Sequence, residues 1–170
     1  MKNVYFNVLA LVTVWFAVMV VSSLKAQPSS APLLVVEGEV QKPLKLDISE
    51  LNNLKQTEVK AKDHGGVERL YKGVMLFDIL SAAGVTLGGQ LRGKNLLKFV
   101  AVKAVDGYEV IFSLPEIDPE FTAQTILLAY EVDGKPLPKR EGPFRMVVPN
   151  DKKHARWIRE ITTISVAFSK

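Results

Sequence analysis

The chain contains no cysteine. That absence excludes disulfides, thiolate catalysis and thiolate ligation of a metal. It also excludes attachment of a lipid to a cysteine. Histidine is scarce: only His64 and His154 occur, far apart, with Asp63 the one acid beside either, which is not a metal-binding set. A strong excess of one charge is missing as well. The 22 basic and 18 acidic residues leave a net charge of +4. Removing the first 26 residues takes away Lys2 and Lys25 and no acid, and lowers it to +2. A general nucleic-acid binder uses a broader basic face than that. Gly88, Gly89 and Gly93 match neither a GxGxxG nor a Walker pattern, so they are turn residues rather than a phosphate loop. Ser49, Ser81 and Ser113 lack the context of a nucleophile elbow. No catalytic residue is assigned from the sequence.

What is present begins with a leader. Lys2 supplies a positive start, residues 4–21 are apolar apart from Asn7 and Thr13, and small residues before Ala26 offer a cleavage point. Residues 1–26 therefore form an expected secretory signal peptide, or a membrane anchor if uncleaved, and the protein is expected in the periplasm. Residues 27–32 are a Pro/Ser-rich tether. Residues 33–170 suit one domain able to bury its own core, on which an exported protein without disulfides depends.

Within that domain, residues 33–40, 44–46, 57–62, 96–104, 108–114, 125–132, 145–148 and 161–168 have strand character. Asp106-Gly107 and Asp133-Gly134 are hairpin signals, and residues 136–138 are a proline-rich bend. Asp47 or Ser49 caps a small helix carrying Leu51 and Leu54. Tyr71-Lys72-Gly73 leads into a helix whose apolar face holds Met75, Leu76, Ile79, Leu80 and Ala83, with Gly84 as a left-handed C-terminal cap. Pro115-Glu116 opens a helical turn, and residues 154–160 form a helical or turn segment. Many strands, few short helices and no regular strand–helix alternation predict an α+β fold with mixed sheets.

The functional signal lies near the end. Arg145 opens a short apolar strand that stops at Pro149, and Lys152, Lys153, His154, Arg156 and Arg159 follow with Trp157 among them. Fixed donors and positive charge beside a flat aromatic suit a small planar ligand that hydrogen-bonds or carries negative charge. Each residue also has a plainer role. Arg145 could pair with Glu131 or Glu141, Lys152 and Lys153 could be a solvated charge run, Arg159 faces solvent, and Trp157 is first a core anchor and second a pocket wall.

The order of segments resembles the molybdopterin-binding domain of the sulfite oxidase family. The shared pieces are Tyr71-Lys72-Gly73-Val74-Met75-Leu76-Phe77-Asp78-Ile79-Leu80 with Ala83-Gly84-Val85, then Asp106-Gly107-Tyr108. Leu127-Leu128-Ala129 with Asp133-Gly134-Lys135-Pro136-Leu137 follows, and Gly142-Pro143-Phe144-Arg145-Met146-Val147-Val148-Pro149 with the basic segment ending at Trp157 closes the pattern. The resemblance implies that Arg145 contacts a pterin and that Lys153, His154 and Arg156 hold the pterin and its phosphate. His64, in the loop replacing the family's thiolate loop, is then a pterin-edge contact or an exposed loop residue. Enzymes of that family hold molybdenum through a cysteine, which this chain lacks, so molybdenum is not expected. The resemblance is nearest to small, exported, cysteine-free members that bind pterins without metal. It implies a non-enzymatic regulator reporting pterin to the periplasmic domain of a membrane-bound enzyme of cyclic di-GMP metabolism. The alternative is a molybdopterin-dependent oxidoreductase subunit or degenerate enzyme.

Overall fold

A computed structural model describes residues 33–169. The leader and tether expected at residues 1–32 lie outside the described residues. Among the described residues no helix is long and apolar enough to cross a membrane.

The chain opens with β1 (Leu34–Gly38), β2 (Leu44–Leu46) and α1 (Ile48–Leu51). It continues with β3 (Gln56–Lys62), β4 (Glu68–Met75) and α2 (Leu76–Ala82). Next come β5 (Lys98–Ala104), β6 (Glu109–Ser113), α3 (Leu114–Ile117), β7 (Leu127–Val132) and β8 (Lys135–Pro136). β9 (Arg145–Val147) and β10 (Ile161–Phe168) complete the fold. One sheet has the order β2-β1-β10-β5-β6, and the other runs β3-β4-β7-β8 with β9 also paired to β7. The β1–β10 pair is parallel and the other pairs are antiparallel, so the first sheet is mixed. The architecture is α+β, with one mixed sheet, one antiparallel sheet and a few short helices.

Local chemistry accounts for the joints. Asp47 caps α1: its carboxylate accepts from the Glu50 amide at 2.9 Å, and the Glu50 carboxylate accepts from the Asp47 amide at 2.8 Å. This reciprocal box decides between Asp47 and Ser49 as cap. Asp133 and Gly134 have φ of 50° and 72°, the two left-handed residues that a tight hairpin between β7 and β8 requires. Asp133 also accepts from the Leu70 amide at 2.9 Å, tying this turn to β4.

Hydrophobic patterning separates central from edge strands. β7 is buried along nearly its whole length, whereas β3 and β6 alternate as edges do. Leu34, Val36, Phe112, Leu128, Phe144, Met146 and Ile164 belong to one buried cluster shared by both sheets. Each such side chain contributes roughly 1.5–3 kcal/mol by leaving water.

The structure refines four expectations. Tyr71-Lys72-Gly73 lies inside β4, an unrecognised strand pinned between β3 and β7, and β4 runs directly into α2 as expected. Residues 93–97 form a 3₁₀ segment before β5 rather than its first residues. The segment at 154–160 is a single 3₁₀ turn, His154–Arg156, followed directly by the approach to β10. Residues 135–136 pair with β7 as a short strand, so the first residue of the bend expected at 136–138 belongs to β8.

Candidate functional site

Arg145 is the first residue of β9, where it pairs in register with Ala129 of β7. That position buries it to 8% exposure. Its guanidinium carbon lies 5.6 Å from the centre of the Tyr71 ring and 5.5 Å from that of Trp157. The two rings meet edge to face at 5.8 Å and 87°. A cation packed against two aromatic rings is favoured by their quadrupoles. Glu141, four residues upstream, accepts from one terminal nitrogen of Arg145. The Arg145 Nε is buried and has no hydrogen-bond partner among the described residues. An orphaned buried donor is costly and marks a place where a ligand or water completes the bonding.

Trp157 is both anchor and wall. It is 3% exposed, and its indole N–H donates to the Val148 carbonyl at 2.9 Å. On its other side lies the His154 ring, with centroids 4.2 Å apart and planes tilted by 36°. The His64 ring faces His154 at 6.1 Å from the β3–β4 loop. These groups border a cleft of about 550 Å³, which Asp63, Arg69, Glu141 and Arg159 also line. A second hollow of about 360 Å³ shares His154, Trp157 and Arg159 and extends toward Tyr108 and Arg140. Burial pushes the Tyr71 hydroxyl above its ordinary pKa, with the Arg145 charge acting against that shift, so this wall stays a neutral phenol.

The structure thus brings His64, Arg145, His154 and Trp157 to one cleft, with Arg159, read from the sequence as solvent-facing, also on its lining. It does not bring Lys153 and Arg156 with them. A 3₁₀ turn has three residues per turn, so positions i and i+3 eclipse. His154 and Trp157 share one side, and Lys153 and Arg156 share the other. Lys153 is exposed. Arg156 lies over the Phe112 ring at 4.8 Å and pairs with Asp151 and Glu116. Lys153 and Arg156, expected to contact pterin and phosphate, do not line this cleft. Sequence reasoning missed Tyr71 and Glu141 as cleft residues. Tyr71 is delivered by β4, itself unrecognised. Glu141 had only its spacing from Arg145 to signal it.

Two sheets carrying a cationic, aromatic cleft at a strand end define the domain as α+β. Residues 25–169 match the Oxidoreductase molybdopterin binding domain family, and the chain belongs to it. The Uncharacterized oxidoreductase YuiH of Bacillus subtilis (strain 168) is 32% identical over 136 residues, covering 75% of this chain and 63% of that protein. The chain also shares the fold of the Sulfane Dehydrogenase SoxCD from Paracoccus pantotrophus, with a TM-score of 0.62 at 19% identity over 79% of this chain and 38% of that one. The chain spans under two thirds of both relatives.

These relationships correct the expectation of a non-enzymatic protein: the family and YuiH both carry oxidoreductase names. None of them marks a separate pterin-sensing subgroup.

The family's name implies a molybdopterin, and the residues test that group in two parts. The donor set of the cleft suits a flat heterocycle rich in hydrogen-bonding edges. Thiolate ligation of molybdenum does not fit, because the chain has no cysteine. Among the described residues no group of three or more His, Asp or Glu is placed to hold a metal either.

Proposed function

We propose that this chain is the pterin-holding domain of an oxidoreductase, with the heterocycle seated in the cleft between His64 and Arg145. The observation that carries this reading is Arg145 itself: a buried guanidinium, walled by Tyr71 and Trp157, with one donor left unbonded. A pterin offers a face for the aromatic groups and an amide-like edge for the guanidinium. Arg145 would bind and orient the ring. His154, stacked on Trp157, and His64 opposite it would act as donors at the mouth. The contribution of these side chains is binding, orientation and shielding from water.

Export to the periplasm is part of the proposal and rests on the character of residues 1–26. The cyclic di-GMP enzyme as partner rests on resemblance alone, and the family relationships favour an oxidoreductase role over signalling.

The test is native purification followed by oxidative release of small molecules and by titration with pterin, read by pterin fluorescence. Released pterin, or saturable quenching, is expected. Neither released pterin nor quenching up to the solubility limit would overturn the proposal.

A further inference from the structure

Glu141 lines the cleft next to Arg145 and is not among the residues expected from the sequence to touch a ligand. Its Oε2 accepts from Arg145 Nη1. Its Oε1 makes no hydrogen bond among the described residues, and the side chain keeps 32% exposure. Arg145 presents donors only, and ionised Glu141 presents acceptors only. Side by side, they form a two-point reader with one donor and one acceptor.

The other carboxylate of the cleft, Asp63, also has one oxygen committed, but to its own loop rather than to Arg145. Asp63 Oδ1 accepts from the Val67 amide at 3.0 Å and holds its own loop. Arg69 pairs with Asp133 at 2.6 Å. Glu141 and Arg145 are therefore the adjacent, buried-side pair left to read a ring edge.

We infer that Glu141 is a specificity-determining residue that selects 2-amino-4-oxo heterocycles. Its open carboxylate oxygen accepts from the 2-amino group while Arg145 donates to the 4-oxo group. This inference rests on the proposed pterin site and adds which ring edge it accepts. A 2,4-dioxo ring turns an oxygen toward Glu141 in place of the amino group, so acceptor meets acceptor.

The test compares pterin with lumazine, its 2,4-dioxo analogue, by fluorescence titration. The wild-type chain should bind pterin at least about tenfold more tightly, the scale of one charged hydrogen bond. Glu141→Gln should narrow the ratio to below about threefold by placing an amide against the donors. Glu141→Asp, which keeps a negative charge for Arg145 but withdraws it from the ring, should narrow it likewise and serves if the Gln variant fails to fold. A wild-type ratio below about threefold overturns the inference, as does a ratio that survives in a folded variant. Equal binding of both rings leaves the pterin site standing and removes only the role of Glu141. Failure of the wild-type chain to bind either ring removes both.

Discussion

Arg156 and Asp151 form a two-pronged pair, with Nε to Oδ2 at 2.9 Å and Nη2 to Oδ1 at 2.7 Å. Nη1 of the same guanidinium reaches both oxygens of Glu116 at 3.1 Å. The Asp151 bond, ahead of the contribution from Glu116, holds Arg156 protonated even more firmly than an ordinary arginine. This arginine staples the segment before β10 to the end of α3.

Arg156→Ala should therefore act on stability. A loss of about 1–2 kcal/mol is expected, toward the lower end because these side chains are partly solvated. Thermal unfolding checks that, and pterin affinity in the folded variant should stay within about twofold. A large loss of affinity with unchanged melting would return Arg156 to the site.

Arg145→Lys removes the fork and keeps the charge. Pterin binding should weaken by roughly 1–3 kcal/mol, since a lysine cannot supply two parallel donors from one plane. Calorimetric titration of the folded variant measures it, and unchanged affinity would remove the guanidinium from ring recognition.

Gly73→Ala should destabilise the second sheet. Gly73 sits at the register shift between β4 and β7, where an added Cβ would come within 1.9 Å of the Leu128 carbonyl oxygen. Backbone must move to admit it, so a loss of about 2 kcal/mol or more is expected. Denaturant unfolding of this variant decides the matter, and a stability equal to wild type contradicts the close approach.

Alkaline pH should weaken the fold through Tyr71 and Tyr130. Burial pushes both hydroxyls above the ordinary value of 10.0. The unfolded chain releases these protons first, so stability is whole below about pH 10 and falls as pH climbs through the raised folded-state values. The midpoint of urea unfolding should drop between about pH 9 and pH 11, and the drop should shrink in Tyr130→Phe. Tyr130 donates to Asn52 Oδ1 at 2.7 Å, so that variant also loses a hydrogen bond at neutral pH.

Elements with strong local signals were legible from residues alone. β10 matches its expected span, the Asp106-Gly107 and Asp133-Gly134 hairpins stand where their dipeptides put them, and α2 differs from its expected span by one residue at each end. β4 was not legible, because its apolar residues run straight into those of α2 and only pairing on both sides makes it a strand. At the site, Arg145 and the basic stretch were visible as composition. Which basic residues face the cleft was not, because a 3₁₀ turn and an α-helix of the same sequence would present different sides.

Residue chemistry by itself determined the absence of thiolate ligation, the α+β pattern and the concentration of cations around one tryptophan. Only tertiary structure decided that His64 joins His154 from a loop ninety positions earlier, that Arg156 turns away to Asp151 and Glu116, and that Tyr71 and Glu141 complete the setting of Arg145. The reason is physical: composition and spacing set what a side chain can bond, while strand pairing and turn geometry set what it meets.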